Sequence, residues 1–214
     1  GHGLSARKSC DMEMNFTYLE HPEKYSPLSE EEETCDFCGQ EKLCMDASFL
    51  FGEEEYDFIC PECLAGGKLI DSEIFTCDGD IDELKRQLRV LHSEWSEEMI
   101  GADAEKKTIV LEKTTPQLIS WQDWVWPAAD GDYCRFIGYG SKEMFAALAP
   151  GTNGEELFKS SLYHTVDEDV DELWEDLLPE DDIVDYNESA EMPVLFYVFR
   201  SLHSDRIVTV WDSN

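Results

Sequence analysis

The chain predicts an α+β fold: a small cysteine-closed ribbon near the start, a mixed α/β remainder and a C-terminal β-hairpin. Three features lead there. Two Cys-x-x-Cys pairs, Cys35 with Cys38 and Cys60 with Cys63, are separated by residues 39–59. Apolar residues recur at three- and four-residue steps from Ile81 and again from Val166, the spacing of amphipathic helices. Near the end, two runs rich in β-branched and aromatic residues flank Ser204-Asp205.

Four thiolates on two short turns can close a tetrahedron around one zinc ion, which supplies folding energy that so small an apolar core lacks. Gly39 follows the first pair and Pro61 lies inside the second, the usual companions of such knuckles. The interval exceeds the common window by about one residue, in the loop where ribbons vary. The segment therefore reads as zinc-ribbon-like, with Cys35, Cys38, Cys60 and Cys63 as ligands of a structural zinc. Two disulfides or a redox Cys-x-x-Cys are the alternatives. No signal-like or membrane-spanning apolar stretch is evident, so the expected location is cytoplasmic. There thiols stay reduced, which favours metal over disulfide and leaves Cys10, Cys44, Cys77 and Cys134 as free thiols.

Residues 1–11 read as an expression-tag remnant, with Met12 or Met14 as the native start. The N-terminal segment with the ribbon then covers 12–67, and an α+β domain covers 68–214. Phe16 to Tyr18 predicts a short strand before the turns at Pro22 and Pro27, and Glu30 to Glu33 leads into the first knuckle. Ala47–Phe51 and Tyr56–Ile59, split by Gly52 and three glutamates, predict a hairpin that brings the knuckles together. Asp80 caps a long helix whose stripe is Ile81, Leu84, Leu88, Leu91, Trp95 and Met99, ending near Gly101. His92, beside that stripe, reads as a surface or core-edge residue. Thr108 to Leu111 predicts a strand, because Ile and Val favour a pleated surface.

Trp121, Trp124 and Trp126 predict a core cluster, and Tyr133 to Tyr139 a strand. Ser141 opens a short helix through Leu148, and Pro150 to Gly154 is a loop and a candidate boundary between lobes. From a cap at Thr165, a helix of about 165–178 places Val166, Val170, Leu173, Trp174 and Leu177 on one face, and Pro179 ends it. Asp167, Asp169 and Asp171 do not form a calcium loop: Glu172 stands where that loop needs glycine and Leu178 where it needs a bidentate Glu. Val194–Phe199 and Arg206–Trp211 form the closing hairpin.

Charge narrows the function. With 16 Lys and Arg against 49 Asp and Glu, the formal net charge is −33. Such a chain repels nucleic-acid backbones and anionic membranes. From His164 to Glu191 there are thirteen carboxylates and no Lys or Arg. That stretch is either a solvated face or a docking surface for a basic partner. The candidate partner-binding residues are Asp167, Glu168, Asp171, Glu172, Glu175, Asp176, Asp181 and Asp182.

The two knuckles, Cys60-Pro-x-Cys-Leu-Ala-x-Gly67 among them, the Trp121-Gln-x-x-Trp124 segment leading to Cys134-Arg-Phe-Ile-Gly-Tyr139, and Phe199-Arg-x-Leu-His203 together resemble the CbrC family of bacterial proteins. The resemblance runs from about Phe16 to the C-terminus and implies tolerance of a bacterial toxin, with no catalytic activity to carry over. Members carry extra Cys or His near Ala128 and Ala129, and cysteines where this chain has Ser201 and Ser204. If those residues make a second metal site in the family, this chain has lost it, and Cys134 and His203 are not expected as ligands. The expected function is a toxin-tolerance or immunity protein that neutralises a basic toxin domain through an acidic surface. The alternatives are a non-catalytic zinc-ribbon interaction module with a housekeeping role, and an enzyme, which the closed thiolate shell disfavours.

Overall fold

The computed structural model describes residues 15–118, 124–151, 153–164 and 169–213. The 1–11 leader, both candidate start methionines, Cys10, Trp121 to Asp123, and Thr165 to Glu168 lie outside the described residues, and Asp167 and Glu168 of the acidic set with them. The architecture is α+β. No helix among the described residues is long and apolar enough to cross a membrane.

After the short helix α1 (Pro22–Tyr25), two two-stranded ladders build the ribbon: β1 (Glu33–Thr34) with β2 (Glu41–Lys42), and β3 (Met45–Asp46) with β4 (Phe58–Ile59). Helix α2 (Pro61–Ala65) follows, then α3 (Ile81–Leu91) and α4 (Glu97–Thr114). A minimal hairpin, β5 (Ala128–Ala129) with β6 (Asp132–Tyr133), precedes β7 (Arg135–Tyr139). Helices α5 (Lys142–Leu148), α6 (Gly154–Ser161), α7 (Val170–Glu172) and α8 (Tyr186–Ser189) then lead to β8 (Val194–Arg200) and β9 (Ile207–Ser213).

β7, β8 and β9 form an antiparallel sheet with β8 in the centre. The expected closing hairpin is β8–β9. Alternation along β8 divides the core. Leu195, Tyr197 and Phe199 join Phe136, Val208 and Val210 in the larger core, which also holds the cysteine ribbon, α3 and α4. Phe196, Val198 and Ile207 face the other way, onto Phe145 of α5, Phe158 of α6, and Leu173 and Leu178. Trp126 is buried in the larger core, its ring 5.2 Å from Phe199, and its Nε1 donates to the Cys134 carbonyl at 2.7 Å. Trp124 packs 4.5 Å from Tyr197, so both described tryptophans of the cluster serve the core.

Five elements differ from the sequence expectation. The long helix from Asp80 is two helices. Asp80 caps α3 as expected, accepting from the Glu83 amide, but the helix stops at His92. Ser96 then takes an extended conformation and its side chain accepts from the Met99 amide, a second N-cap hidden inside an unbroken periodic pattern. The stripe is thus rotated at the break, leaving Leu91 54% and Met99 51% exposed. His92 stacks on Trp95 at 3.8 Å, at the core edge rather than in a site. The expected strand at Thr108 to Leu111 is helical, the C-terminal part of α4: Thr108 Oγ1 donates to the Ala104 carbonyl, and Ile100, Ala104 and Leu111 share the buried face. Continuing a capped helix outweighs the weak β preference of Ile and Val.

The ribbon hairpin pairs earlier than expected, Met45 with Ile59 and Asp46 with Phe58. The Asp46 carboxylate accepts from both the amide and the hydroxyl of Ser48, a local turn that bends the chain out of the ladder. Phe51 pairs instead with Phe75, backbone to backbone and ring on ring at 5.3 Å. Phe16 to Tyr18 is no strand but a tight turn laid along β7: the Phe136 amide donates to the Tyr18 carbonyl and the Glu20 amide to the Phe136 carbonyl.

The acidic helix is shorter than expected. Its described part starts at Asp169, whose side chain accepts from the Asp171 amide, and after α7 it widens into a π turn over Leu173–Leu177. The Leu178 amide donates to the Leu173 carbonyl at 2.9 Å, a five-residue step that points Leu173 and Leu178 into the same core cluster. Between Ala149 and Asn153 the chain reverses and α6 packs on α5, so closely that a Cβ on Gly154 would meet the Ala146 amide nitrogen at 3.0 Å.

Removing Phe136, fully buried between Tyr25, Trp126 and Phe199, is expected to cost about 3–5 kcal/mol in Phe136→Ala, read by urea denaturation. Ser96→Ala is expected to cost about 1 kcal/mol by the same measurement; an unchanged midpoint would show that the second cap contributes nothing.

Candidate metal centre

The sulfur atoms of Cys35, Cys38, Cys60 and Cys63 all lie within 4.8 Å of one another, and those of Cys38 and Cys60 are 3.9 Å apart. Metal–sulfur bonds of about 2.3 Å at tetrahedral corners put sulfurs about 3.8 Å apart, so the cluster has the right size for one ion. Cys35, Cys60 and Cys63 are buried and Cys38 is exposed.

Local hydrogen bonds explain how the sequence builds this cluster. The Gly39 amide returns to the Cys35 carbonyl at 2.9 Å, and Gly39 sits at φ 73, a left-handed conformation that glycine adopts without a Cβ clash. The second knuckle opens α2, with Cys60 at the cap and Pro61 in the first turn, where proline lacks no needed N–H. One residue inside the first knuckle ties the two together. Asp36 Oδ2 accepts from the Asp57 and Phe58 amides, while the Asp36 amide donates to the Phe58 carbonyl. Sequence reasoning passed over Asp36; an Asp between paired cysteines was the available signal, because Asp readily accepts from backbone amides. The Cys60 amide also donates to Cys35 Sγ at 3.3 Å.

Electrostatics favour cation binding. Burial alone would push the Cys35 thiol up, but amide donors from Cys60, Cys38 and Phe37 outweigh it and bring Cys35 down to about 7. Burial and the crowding of neighbouring sulfurs push Cys60 and Cys63 up, so the four cannot all ionise unaided. A divalent cation bound by these sulfurs would supply the compensation. Lys42 lies beside the cluster, 3.7 Å from Glu62. Desolvation is the largest single influence on its ammonium and opposes the charge, but Glu62 and the sulfurs of Cys60, Cys38 and Cys63 together outweigh it and hold the ammonium above the ordinary range.

The remaining described cysteines are free thiols but not ligands. Cys44, pushed up to about 11 by burial and then by the neighbouring cysteine sulfurs, donates to the Glu33 carbonyl. Cys77 donates to the Leu111 carbonyl, and Cys134 is pushed up to about 12 by burial. His203 Nε2 meets Asp132 Oδ2 at 3.2 Å, and the Tyr18 hydroxyl holds the other oxygen of Asp132 at 2.7 Å. Ser201 and Ser204 both donate to Asp130. The turn after β8 is therefore fastened to the β5–β6 turn by serine, histidine and carboxylate groups. Among the described residues, the four paired cysteines are the metal-binding cluster.

The acidic residues are not gathered in the same way. Glu172, Glu175, Asp176 and Asp181 are exposed. Asp171 pairs with Lys159, and Asp182 accepts from the Ser141 hydroxyl at 2.5 Å while Glu180 binds Lys142 at 2.8 Å. A cavity of about 510 Å³ lies between the ribbon and α8, lined mainly by apolar groups such as Met45, Phe51, Leu64, Leu118 and Leu195. Its ionisable lining residue, Asp46, is turned onto Ser48, so the cavity presents no acid–base pair.

Elemental analysis or native mass spectrometry is expected to find one bound metal ion per chain, lost in Cys60→Ser together with soluble folded protein; a folded chain that never binds metal would refute the centre. Because burial keeps Cys44, Cys77 and Cys134 protonated at pH 8, iodoacetamide at that pH is expected to leave them unlabelled in the native protein and to label them after denaturation.

No solved structure matches this chain. The family model described as an uncharacterised protein family, UPF0167, matches residues 14–212 and so spans the ribbon, both cores and the closing hairpin. The chain belongs to the uncharacterised protein family UPF0167.

Proposed function

We propose that the protein is a toxin-tolerance or immunity factor without catalytic activity, cytoplasmic, that covers a basic toxin domain with its acidic surface. The observation that carries this reading is the net charge of −33, with Glu172, Glu175, Asp176 and Asp181 exposed on and just after a helical turn docked through Leu173 and Leu178. Toxin domains that attack nucleic acid present cationic clefts, and a polyanionic partner associates with them fast and occludes them. The resemblance to the CbrC family supports the same assignment.

The metal in this reading is zinc with a structural role. Four thiolates at tetrahedral spacing select zinc or an iron–sulfur centre, and the ribbon geometry with one ion's worth of space favours zinc. A full thiolate shell holds no open position for substrate, so the centre builds the surface rather than reacting.

A housekeeping interaction module is the second reading. It is favoured by the internal engagement of Asp171, Glu180 and Asp182, exposed carboxylates that already have partners within the chain.

Coexpression with the product of the adjacent gene is expected to relieve growth arrest and to copurify the two chains; failure with every neighbour would remove the immunity reading. In a purified complex, the triple change Glu172→Lys, Glu175→Lys, Asp176→Lys is expected to weaken binding by about tenfold or more and to flatten its salt dependence, with melting temperature unchanged. Unaltered affinity would place the interface elsewhere.

A further inference from the structure

Arg135 and Arg200 are directly opposed in the β7–β8 register. Their neighbours fix the face they occupy. Phe136 and Phe199 belong to the larger core, so Arg135 and Arg200 lie on the opposite face, at the end of the row formed by Val198 and Ile207. Both are half-buried. Two guanidiniums across an antiparallel pair, with Cβ atoms about 5 Å apart, repel each other.

The chain has ample means to neutralise them, and among the described residues it does not. It carries 49 carboxylates against 16 Lys and Arg, and Arg86, Arg89, Lys107, Lys142 and Lys159 each sit within ion-pair distance of one. Neither Arg135 nor Arg200 has a carboxylate within that distance among the described residues. Among the described residues, Arg135 Nε is in addition a buried donor with no acceptor. A buried unpaired donor costs about 1–3 kcal/mol, and a charged one more, so pairing it is favoured.

We infer that Arg135 and Arg200 form a binding site for one small oxyanion of the phosphate class. Two planar forks of N–H donors at directly opposed strand positions are close enough to share a compact tetrahedral anion and to satisfy several of its oxygens at once. The size limit follows from the surroundings: Ile207 flanks Arg200, and the field of a −33 chain repels extended polyanions while short-range pairing captures a small one. The site lies on the face that carries α5 and α6, apart from the cysteine centre, and does not rest on the toxin reading.

Inorganic phosphate, titrated against sodium chloride at matched ionic strength, tests the assignment by calorimetry and thermal unfolding of the full-length, metal-loaded protein. The expected result is saturable one-to-one binding and a melting temperature raised by about 3–6 °C at tenfold excess over Kd. Arg200→Gln is expected to weaken phosphate binding at least tenfold while its own melting temperature without phosphate is unchanged or higher, because the facing charge is gone. Arg135→Gln is expected to behave alike. A non-saturating rise that persists in Arg200→Gln would be preferential exclusion of phosphate and would overturn the site. So would a drop in melting temperature for both variants without phosphate, which would mark the guanidiniums as structural contacts. Equal stabilisation by acetate would overturn the phosphate class.

Discussion

The protein depends on β8 being buried on both faces. Five consecutive residues, Leu195 to Phe199, are almost wholly removed from solvent, and their alternation assigns each side to a different body of the chain. Burying side chains of this size contributes about 1.5–3 kcal/mol each, and the gain is shared by everything packed against them. The ribbon, α3 and α4 converge on one side, with the Trp126–Phe136–Phe199 aromatic group between them and the strand. The helices α5 and α6 and the acidic π turn converge on the other. An acidic surface of this density needs such a platform, because its own charges push it apart and only the apolar underside holds it down.

The parts of this arrangement that were legible in the sequence are those where one residue type has one physical use. Paired cysteines with Gly39 and Pro61 announced the metal ribbon, and Asp80 and Ser141 announced helix starts that the structure keeps. What was illegible is where a residue has two uses and tertiary context chooses. Ser96 sits inside an apolar repeat that reads as one helix, yet it caps a second. Ala47 to Phe51 reads as a strand, and instead Asp46, the last residue of β3, accepts from Ser48 and turns the chain. Leu173 and Leu178 are five apart, which no α-helical pattern joins, and a π turn is the backbone solution that buries both. Of the candidate site, the four cysteines were plain, but the tie through Asp36 was not, since an Asp that accepts backbone amides looks like any other Asp in sequence.

The carboxylates illustrate a different limit. Sequence counts charges, whereas availability depends on partners. The structure separates acids spent on Lys142, Lys159 and Ser141 from those left to solvent, and it moves the weight of the acidic surface toward Glu172, Glu175, Asp176 and Asp181. The four-sulfur cluster, sized for one metal ion, belongs to the larger core, across β8 from the core that Leu173 and Leu178 join.

The turn at Phe16 to Glu20 has one more effect. By exchanging backbone hydrogen bonds with Phe136 it occupies the outer side of β7, and Leu162 and Tyr163 do the same for β9 through Thr209. A three-stranded sheet normally exposes two rows of unpaired amides and carbonyls, which recruit strands from other molecules. Here both rims are partly blocked by irregular chain rather than by further strands. Partial cover of both rims, together with a net charge of −33, opposes edge-to-edge pairing of this small, strongly apolar sheet with other chains.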